Sequence, residues 1–432
     1  MCTILAAYTG AFAAGLRFYQ RGQGSIVLLG PLLWVALEWV RSFFFIGFPW
    51  VSLGYSQHSY LNLIQFAEVT GVYGISALVI FVNLVGFIVL HERGPGRGRL
   101  LLIAVLLVCA LSFWGSWRRD QLAALPSAHR LRVALIQGNI EQDKKWDPEF
   151  QETTIARYEQ LTREAAAQGV DLIVWPETAV PFFFQSDLTY QERLLQIVRE
   201  TKTPLLFGSP AFRQKDRATV TLFNRAYFLS ADSAVLGFYD KIKLAPFGEY
   251  IPFHESFLFF LDKLVEGIGN FASGTTHTVF SLSKEKFSVL ICYEGIFPDL
   301  ARRFVVGGAG FLVNITNDAW FGRTSAPYQH LVMEAMRAVE NRVPLLRAAN
   351  TGFSAVVDWD GRVRAQTALY ETAFLVAEVT WPQVTTFYTI YGDVFARLCA
   401  LGTVLMLGYG YFKKRTYKSG GFHAGRSQRE TR

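Results

Sequence analysis

Phe287-Ser-Val-Leu-Ile-Cys292-Tyr-Glu-Gly-Ile-Phe297-Pro-Asp-Leu-Ala-Arg-Arg303 reads as a short apolar strand that stops at a cysteine and gives way to a helix start at Phe297. A thiol at such a turn sits at a sheet edge near a helix N-terminus, whose dipole favours the thiolate. A buried, inert thiol is the other reading, and the local sequence leaves both open. Similar runs rich in Val, Leu and Ile occur at Leu131 to Gln137, Asp171 to Trp175, Pro204 to Gly208 and Gly310 to Thr316. Between them, Glu152 to Gln168 (stopped by Gly169), Gln191 to Glu200 and Pro327 to Arg342 carry helical periodicity. Strand alternates with helix, which predicts an α/β domain with helices outside a sheet core.

Further out, the texture changes. The chain has 432 residues and net charge +7, yet 51% of it is hydrophobic and only 18% is charged, so residence in a membrane is expected and disorder is excluded for all but the tail. Met1 to Leu16, Ile26 to Phe45, Gly71 to Leu90, Leu100 to Trp114 and Val394 to Phe412 are apolar enough to read as membrane helices, which need roughly 20 residues each. The first lacks the basic start and small-residue cleavage site of a signal peptide. The expected domains are therefore helices over 1–116, a water-facing domain over 117–383, one more helix over 384–412 and a basic tail over 413–432. Glu38 and Arg41 lie one helical turn apart near a span end, as an ion pair or as contacts for a lipid headgroup.

Arg17 and Arg21, then His91, Arg93, Arg97 and Arg99, then Lys413, Lys414, Arg415 and Lys418 fall on one side if the spans alternate. The positive-inside rule makes that side the cytoplasm and puts the large domain beyond it. The basic surplus serves topology, so no nucleic-acid partner is expected. The same alternation puts Met1 outside, from which further upstream helices, odd in number, are expected.

Cys2, Cys109 and Cys399 lie in apolar runs, so Cys292 is the cysteine of the outer domain. Leu172-Ile-Val-Trp-Pro-Glu177-Thr presents a carboxylate at a strand end, and Tyr239-Asp-Lys241-Ile-Lys243 carries lysines into a loop. Taken singly, Glu177 is a helix cap and Lys241 a solvated lysine.

Taken together, Glu177, Lys241 and Cys292 resemble the Glu–Lys–Cys signature of the nitrilase (carbon–nitrogen hydrolase) superfamily, in that chain order. Lys144-Lys-Trp146-Asp-Pro, Pro246-Phe-Gly-Glu249-Tyr-Ile-Pro252, Asn314-Ile-Thr-Asn-Asp-Ala-Trp-Phe-Gly322 and Arg347-Ala-Ala-Asn-Thr-Gly352 resemble its membrane-bound branch, the apolipoprotein N-acyltransferases. Trp39-Val-Arg41, Gly47-Phe-Pro-Trp50-Val-Ser-Leu-Gly-Tyr-Ser-Gln57 and Thr70-Gly-Val-Tyr-Gly74 are similar to the segment between two membrane helices in that branch. The resemblance implies an α-β-β-α sandwich inserted between transmembrane helices of the bacterial inner membrane, facing the periplasm. It also implies more N-terminal helices than this sequence contains.

The activity implied is transfer of an acyl chain from a phospholipid to the α-amine of the S-diacylglyceryl cysteine of an apolipoprotein, through a thioester on Cys292. A thiol needs a base, and a carboxylate such as Glu177 serves if desolvation raises its pKa. Lys241 would then stabilise the oxyanion. By the same resemblance Glu249 supports the triad, Tyr293 and Glu294 shape the pocket, and Trp146 and Trp50 contact lipid, although packing or interfacial anchoring explains the tryptophans equally. No cofactor or metal is expected, since neither a phosphate loop nor a His cluster is present, and a monomer is expected.

Other readings are a membrane-anchored amidase that hands the thioester to water, or an inactive, truncated scaffold. Phe257-Leu-Phe259-Phe260-Leu261, too short to span a bilayer, reads either as a core helix or as a lipid-gated lid over Pro252 to Gly274 in which Phe259 and Phe260 touch acyl chains.

Overall fold

The computed structural model describes residues 2–20, 25–44, 47–92, 94–126, 129–142, 145–214, 220–250 and 271–424. They form two compact units, Met1–Arg118 with Tyr391–Arg432, and Arg119–Ile390.

In the first unit every apolar segment is a helix: Cys2–Gln20, Ile26–Arg41, Val72–His91, Arg97–Ala123 and Val394–Ala424. Among the described residues, Val72–His91, Arg97–Ala123 and Val394–Lys413 are long and apolar enough to cross a membrane. The first two segments, expected as spans, fall short of that. Ile26–Arg41 has only 16 residues, about 24 Å of helix against a hydrocarbon core of about 30 Å. Cys2–Gln20 interrupts its apolar residues with Thr3, Tyr8, Thr9 and Arg17. Close packing holds Ile26–Arg41 against Val72–His91: a Cβ on Gly30 would lie 2.2 Å from a Leu84 methyl. The expected Glu38–Arg41 ion pair is not formed. Buried Glu38 accepts from the Trp34 indole at 2.8 Å and the Leu53 N–H at 2.6 Å, while Arg41 donates to Ser52 Oγ at 3.4 Å.

The second unit is built on two six-stranded sheets. The strands are β1 (His129–Gln137), β2 (Leu172–Val174), β3 (Leu205–Gln214), β4 (Val220–Leu229), β5 (Val235–Asp240), β6 (Phe280–Leu282), β7 (Glu285–Ile291), β8 (Phe311–Thr316), β9 (Leu345–Ala349), β10 (Ala355–Val357), β11 (Val363–Gln366) and β12 (Ala373–Trp381). One sheet runs β12-β1-β2-β3-β4-β5 and the other β11-β10-β9-β8-β7-β6. The centres β1-β2-β3 and β7-β8-β9 are parallel. Parallel strands are covered on both faces, which is why β2, β8 and β9 are buried at every residue.

Rings join the inner faces, Phe228 of β4 lying 5.1 Å from Phe287 of β7 and Phe311 of β8 lying 5.8 Å from Trp381 of β12. Helices Pro148–Ala166 and Leu188–Thr201 cover the first sheet, and Pro298–Val306 and Ala326–Asn341 the second. Their starts are chemically marked: Asp147 accepts from the Glu149 N–H with Pro148 in the first turn, and Asp187 accepts from the Tyr190 N–H. This is the α-β-β-α sandwich that the family resemblance implied. Trp175, just after β2, stacks on Tyr158 at 4.8 Å and donates to Thr162 Oγ1 at 2.9 Å, tying the strand end to a covering helix. Trp175→Ala should therefore lower stability by about 3–5 kcal/mol, measured as a fall in thermal midpoint in detergent.

Candidate active site

Three parallel strands end where the candidate residues begin, as the carboxyl ends of α/β sheets commonly do. β2 runs through Trp175 and Pro176 to Glu177, β7 stops at Cys292, and β8 stops at Asn317. Lys241 follows β5, its N–H donating to the Asn224 carbonyl of β4 at 2.9 Å. The turn at Glu177 is pressed onto β3, where a Cβ on Gly208 would lie 2.5 Å from the Thr178 nitrogen and 2.8 Å from the Glu177 Cα.

The buried Glu177 carboxylate is held from three directions. Oε1 accepts from Asn224 Nδ2 at 2.7 Å and from Lys241 Nζ at 3.4 Å, and Oε2 accepts from the Asn317 N–H at 3.0 Å. Lys241, 1% exposed, also lies 2.9 Å from Glu249. Burial works against the ammonium, but Glu249 and Glu177 outweigh it and hold Lys241 above the ordinary lysine range. Glu249 in turn accepts from Asn224 Nδ2 at 2.8 Å and from the Ala245 N–H at 2.7 Å. Lys241 is thus a fixed cation between two carboxylates, whereas Lys243 is exposed with its ammonium 5.5 Å from the Phe297 ring centre.

Cys292 has φ of 53°, a left-handed backbone that a side chain rarely adopts and that marks many functional turns. It opens a 3-10 turn, Cys292–Ile296, and the longer helix begins only at Pro298. That corrects the expectation of a thiolate favoured by a helix dipole. Burial pushes the half-buried thiol above its ordinary range, Glu177 adds to the effect, and Lys241 opposes it. Both groups therefore lie within electrostatic reach of the sulfur. Asn314 Nδ2 donates to the Cys292 carbonyl at 3.1 Å and fixes the turn on β8.

Glu294 is fully buried. Its Oε1 accepts from Tyr239 Oη at 2.7 Å and from the N–H groups of Ile242 at 2.7 Å and Lys243 at 2.9 Å; its Oε2 accepts from the Ile291 N–H at 2.8 Å. One carboxyl thereby ties the lysine loop to the cysteine turn, and burial raises it to about 7. Tyr293 packs edge-on against Phe297 at 5.0 Å.

Sequence reasoning gave supporting roles to Glu249 and Glu294 but none to Asn224, Asn317 and Lys145, which also hold these residues. Asn224 and Asn317 bridge the site, and a polar side chain inside the apolar run of β4 was the only mark of the first. Lys145, 3% exposed, donates to the Glu177 carbonyl at 3.2 Å and to Thr178 Oγ1 at 2.9 Å. Burial lowers its ammonium to about 8, against the pull of Glu177 and Cys292. Behind the Asn317 turn lies a closed ion cluster. Arg347 reaches Asp318 at 2.9 Å and Glu334 at 2.7 Å; His330 reaches the same two carboxylates at 3.1 and 2.9 Å.

Trp146 lines an open groove of about 690 Å³ with Gln151, Pro181, Phe183, Leu188 and Pro210, and no member of the triad lines it. Trp50 belongs to the helical unit, where it stacks on Phe48 at 5.9 Å. Phe259 and Phe260, with residues 252–270 of the proposed lid, lie outside the described residues; its last residues are bonded to the domain, Phe271 N–H to the Glu249 carbonyl at 3.0 Å and Gly274 N–H to the Lys241 carbonyl at 2.8 Å.

Residues 132–388 match the carbon-nitrogen hydrolase family, and residues 1–85 match the apolipoprotein N-acyltransferase N-terminal domain. The chain is 45% identical to an apolipoprotein N-acyltransferase of Geobacter metallireducens over 96% of its own length and 80% of the relative's. It is 31% identical to the one from Chlorobaculum tepidum, covering 88% of this chain and 76% of that one. Among solved structures, an amidase from Nesterenkonia sp. is 22% identical, with a TM-score of 0.46 over 63% of this chain and 96% of the amidase.

Proposed function

The chain belongs to the apolipoprotein N-acyltransferase family, an acyltransferase of lipoprotein biosynthesis, and on that premise we propose that it moves an acyl chain from a phospholipid through Cys292 to a lipoprotein amine. The observation that supports the reading is the convergence of Glu177, Lys241 and Cys292 at separate strand ends: Lys241 bonds Glu177 at 3.4 Å, and Glu294 ties the loop after Lys241 to Ile291, next to Cys292.

In this reading Glu177 takes the thiol proton and the sulfur attacks the ester carbonyl carbon. The carbonyl electron pair moves to oxygen, where the Lys241 ammonium balances it. Collapse breaks the ester C–O bond, Glu177 returns the proton to the leaving oxygen, and a lysophospholipid departs from the thioester. The α-amine of an S-diacylglyceryl cysteine then attacks the thioester and gives its proton to Glu177. The thiolate leaves, regains the proton, and an amide is released. A thiol whose ordinary state is protonated requires the base in this scheme, which is what burial of Cys292 produces.

Glu249 and Asn224 keep Lys241 and Glu177 in place, and Glu294 locks the two catalytic loops together. Among the described residues, three helices long and apolar enough for a membrane suit a phospholipid donor and a lipid-anchored acceptor. The assigned location is the bacterial inner membrane with this unit on the periplasmic side, the chain working as a monomer.

The test uses the full chain in detergent with phospholipid and a diacylglyceryl-cysteine peptide. Ping-pong kinetics are expected. Lys241→Ala should lose about 100-fold to 1000-fold in rate, the usual effect of removing an oxyanion donor, and Lys243→Ala little. Equal losses at the two lysines would mean that the cation is wrongly assigned, and release of free fatty acid without amide would make the protein a hydrolase.

A further inference from the structure

Lys145 is a second buried ammonium at the active site, and its partners are unusual. It spends its hydrogen bonds on the backbone carbonyl of Glu177 at 3.2 Å and the hydroxyl of Thr178 at 2.9 Å, not on a carboxylate. Thr178 has φ of 44°, a conformation that a β-branched residue adopts only when its surroundings impose it. Gly208 blocks the turn from one side, since a Cβ there would lie 2.5 Å from the Thr178 nitrogen. Lys145 fastens it from the other. A buried ammonium without a carboxylate contact is costly, so packing alone gives no reason for a lysine here.

We propose that Lys145 is a positioning residue for the acyl-transfer site: it clamps the Glu177–Thr178 turn so that the base points at Cys292, and its charge favours the Cys292 thiolate. This rests on the reading of Cys292 as the nucleophile. Glu177 and a charged Cys292 act on Lys145, and the attraction between thiolate and ammonium is mutual; Glu177, Lys241 and Asp318 also act on Cys292, and Glu249 and Glu177 on Lys241. Lys241 and Lys145 are then the cations set against Glu177, Glu249 and the thiolate. Losing one leaves the thiolate less compensated. Lysine and not a neutral donor is needed, because the hydroxyl and carbonyl contacts could be made by an amide.

The test is site-resolved alkylation of Cys292 by iodoacetamide across pH in the full chain, followed by mass spectrometry of its peptide, beside kcat and KM for the phospholipid donor. Lys145→Met should move the alkylation midpoint to higher pH by about one unit, the shift that loss of one nearby charge produces. It should lower kcat by about 10-fold to 100-fold with KM changed by less than about 2-fold, the pattern of lost transition-state stabilisation. Lys145→Arg should keep the midpoint near wild type. Thr178→Val, which removes one contact and leaves the charge, should not move it. If Lys145→Met fails to fold, Lys145→Gln against Lys145→Arg makes the same comparison.

An unshifted midpoint in the methionine or glutamine variant, or an equal shift in Thr178→Val, overturns the proposal. If wild-type Cys292 is never labelled and Cys292→Ala still transfers acyl groups, the nucleophile assignment itself has failed, which is a different result.

Discussion

Cys292→Ala is expected to abolish acyl transfer, with the rate falling by about 10⁴-fold or more, the scale seen when a catalytic nucleophile is removed. The loss should be chemical and not structural. Cys292 is half-buried and its backbone is held through its own carbonyl by Asn314, so removing one sulfur leaves little cavity, and Thr316, which also bonds the thiol, keeps its bond to Asp318 at 3.2 Å. The turn is secured independently by Glu294, which reaches Ile291, Ile242 and Lys243. The thermal midpoint of the alanine variant should accordingly stay within a few degrees of wild type while product formation disappears. Residual transfer above about a tenth of wild type would remove Cys292 from the mechanism.

Arg347→Met is expected to cost about 3–5 kcal/mol of stability, the usual result of removing one partner from a fully buried ion cluster. Arg347 is 0% exposed and grips both Asp318 and Glu334, leaving His330 as the other cation beside the two carboxylates. A volume-matched apolar side chain fills the space but leaves those charges uncompensated. The damage should reach the active site, because Asp318 follows Asn317, whose N–H holds Glu177. A lower thermal midpoint together with a lower kcat is the expected pair; unchanged stability would show the cluster to be dispensable.

The same cluster gives stability a pH signature. Burial works against charge on His330 and Arg347 opposes it too, yet Glu334 and Asp318 raise the imidazole to about 9. The stability it contributes is complete below its unfolded value, near 6.5, and is lost as pH rises through about 9. Asp318 also has burial against its charge, but Arg347 and His330 hold it well below the usual carboxylate range. Its contribution is present above the unfolded value and is lost only in strong acid. Thermal midpoints should therefore fall on the alkaline side of pH 9.

Much of the sandwich was legible because parallel strands buried on both faces leave continuous apolar runs: β2, β7 and β8 were marked by Leu172-Ile-Val, Ser288-Val-Leu-Ile and Phe311-Leu-Val. Of the strands that escaped notice, β4, β10 and β12 carry apolar runs too, but others lack that texture. β9 reads Leu345-Leu-Arg-Ala-Ala, and a buried arginine disguises it. β5 and β11 are exposed at alternate or successive positions. Glu177 and Cys292 stand at the ends of apolar strands, but singly Glu177 reads as a helix cap and Lys241, after the exposed β5, as a solvated lysine; the resemblance of the three to a family signature is what picks them out. Lys145, Asn224 and the Arg347 cluster could not be picked out, since their roles depend on contacts between residues up to tens of positions apart that no local pattern encodes. The helical unit shows a further limit: apolar composition located the helices, but the short length of Ile26–Arg41 and the polar residues within Cys2–Gln20 keep them from being long and apolar enough to cross a membrane.

The most direct test of the central claim is the mass of the Cys292 peptide after the purified chain is incubated with phospholipid alone. The account predicts a fatty-acyl increment on Cys292, removed by hydroxylamine as a thioester is, and discharged as an N-acyl product when a diacylglyceryl-cysteine peptide is added. Undiminished transfer with no adduct on Cys292 at any time, or with the acyl group on another residue, would contradict it.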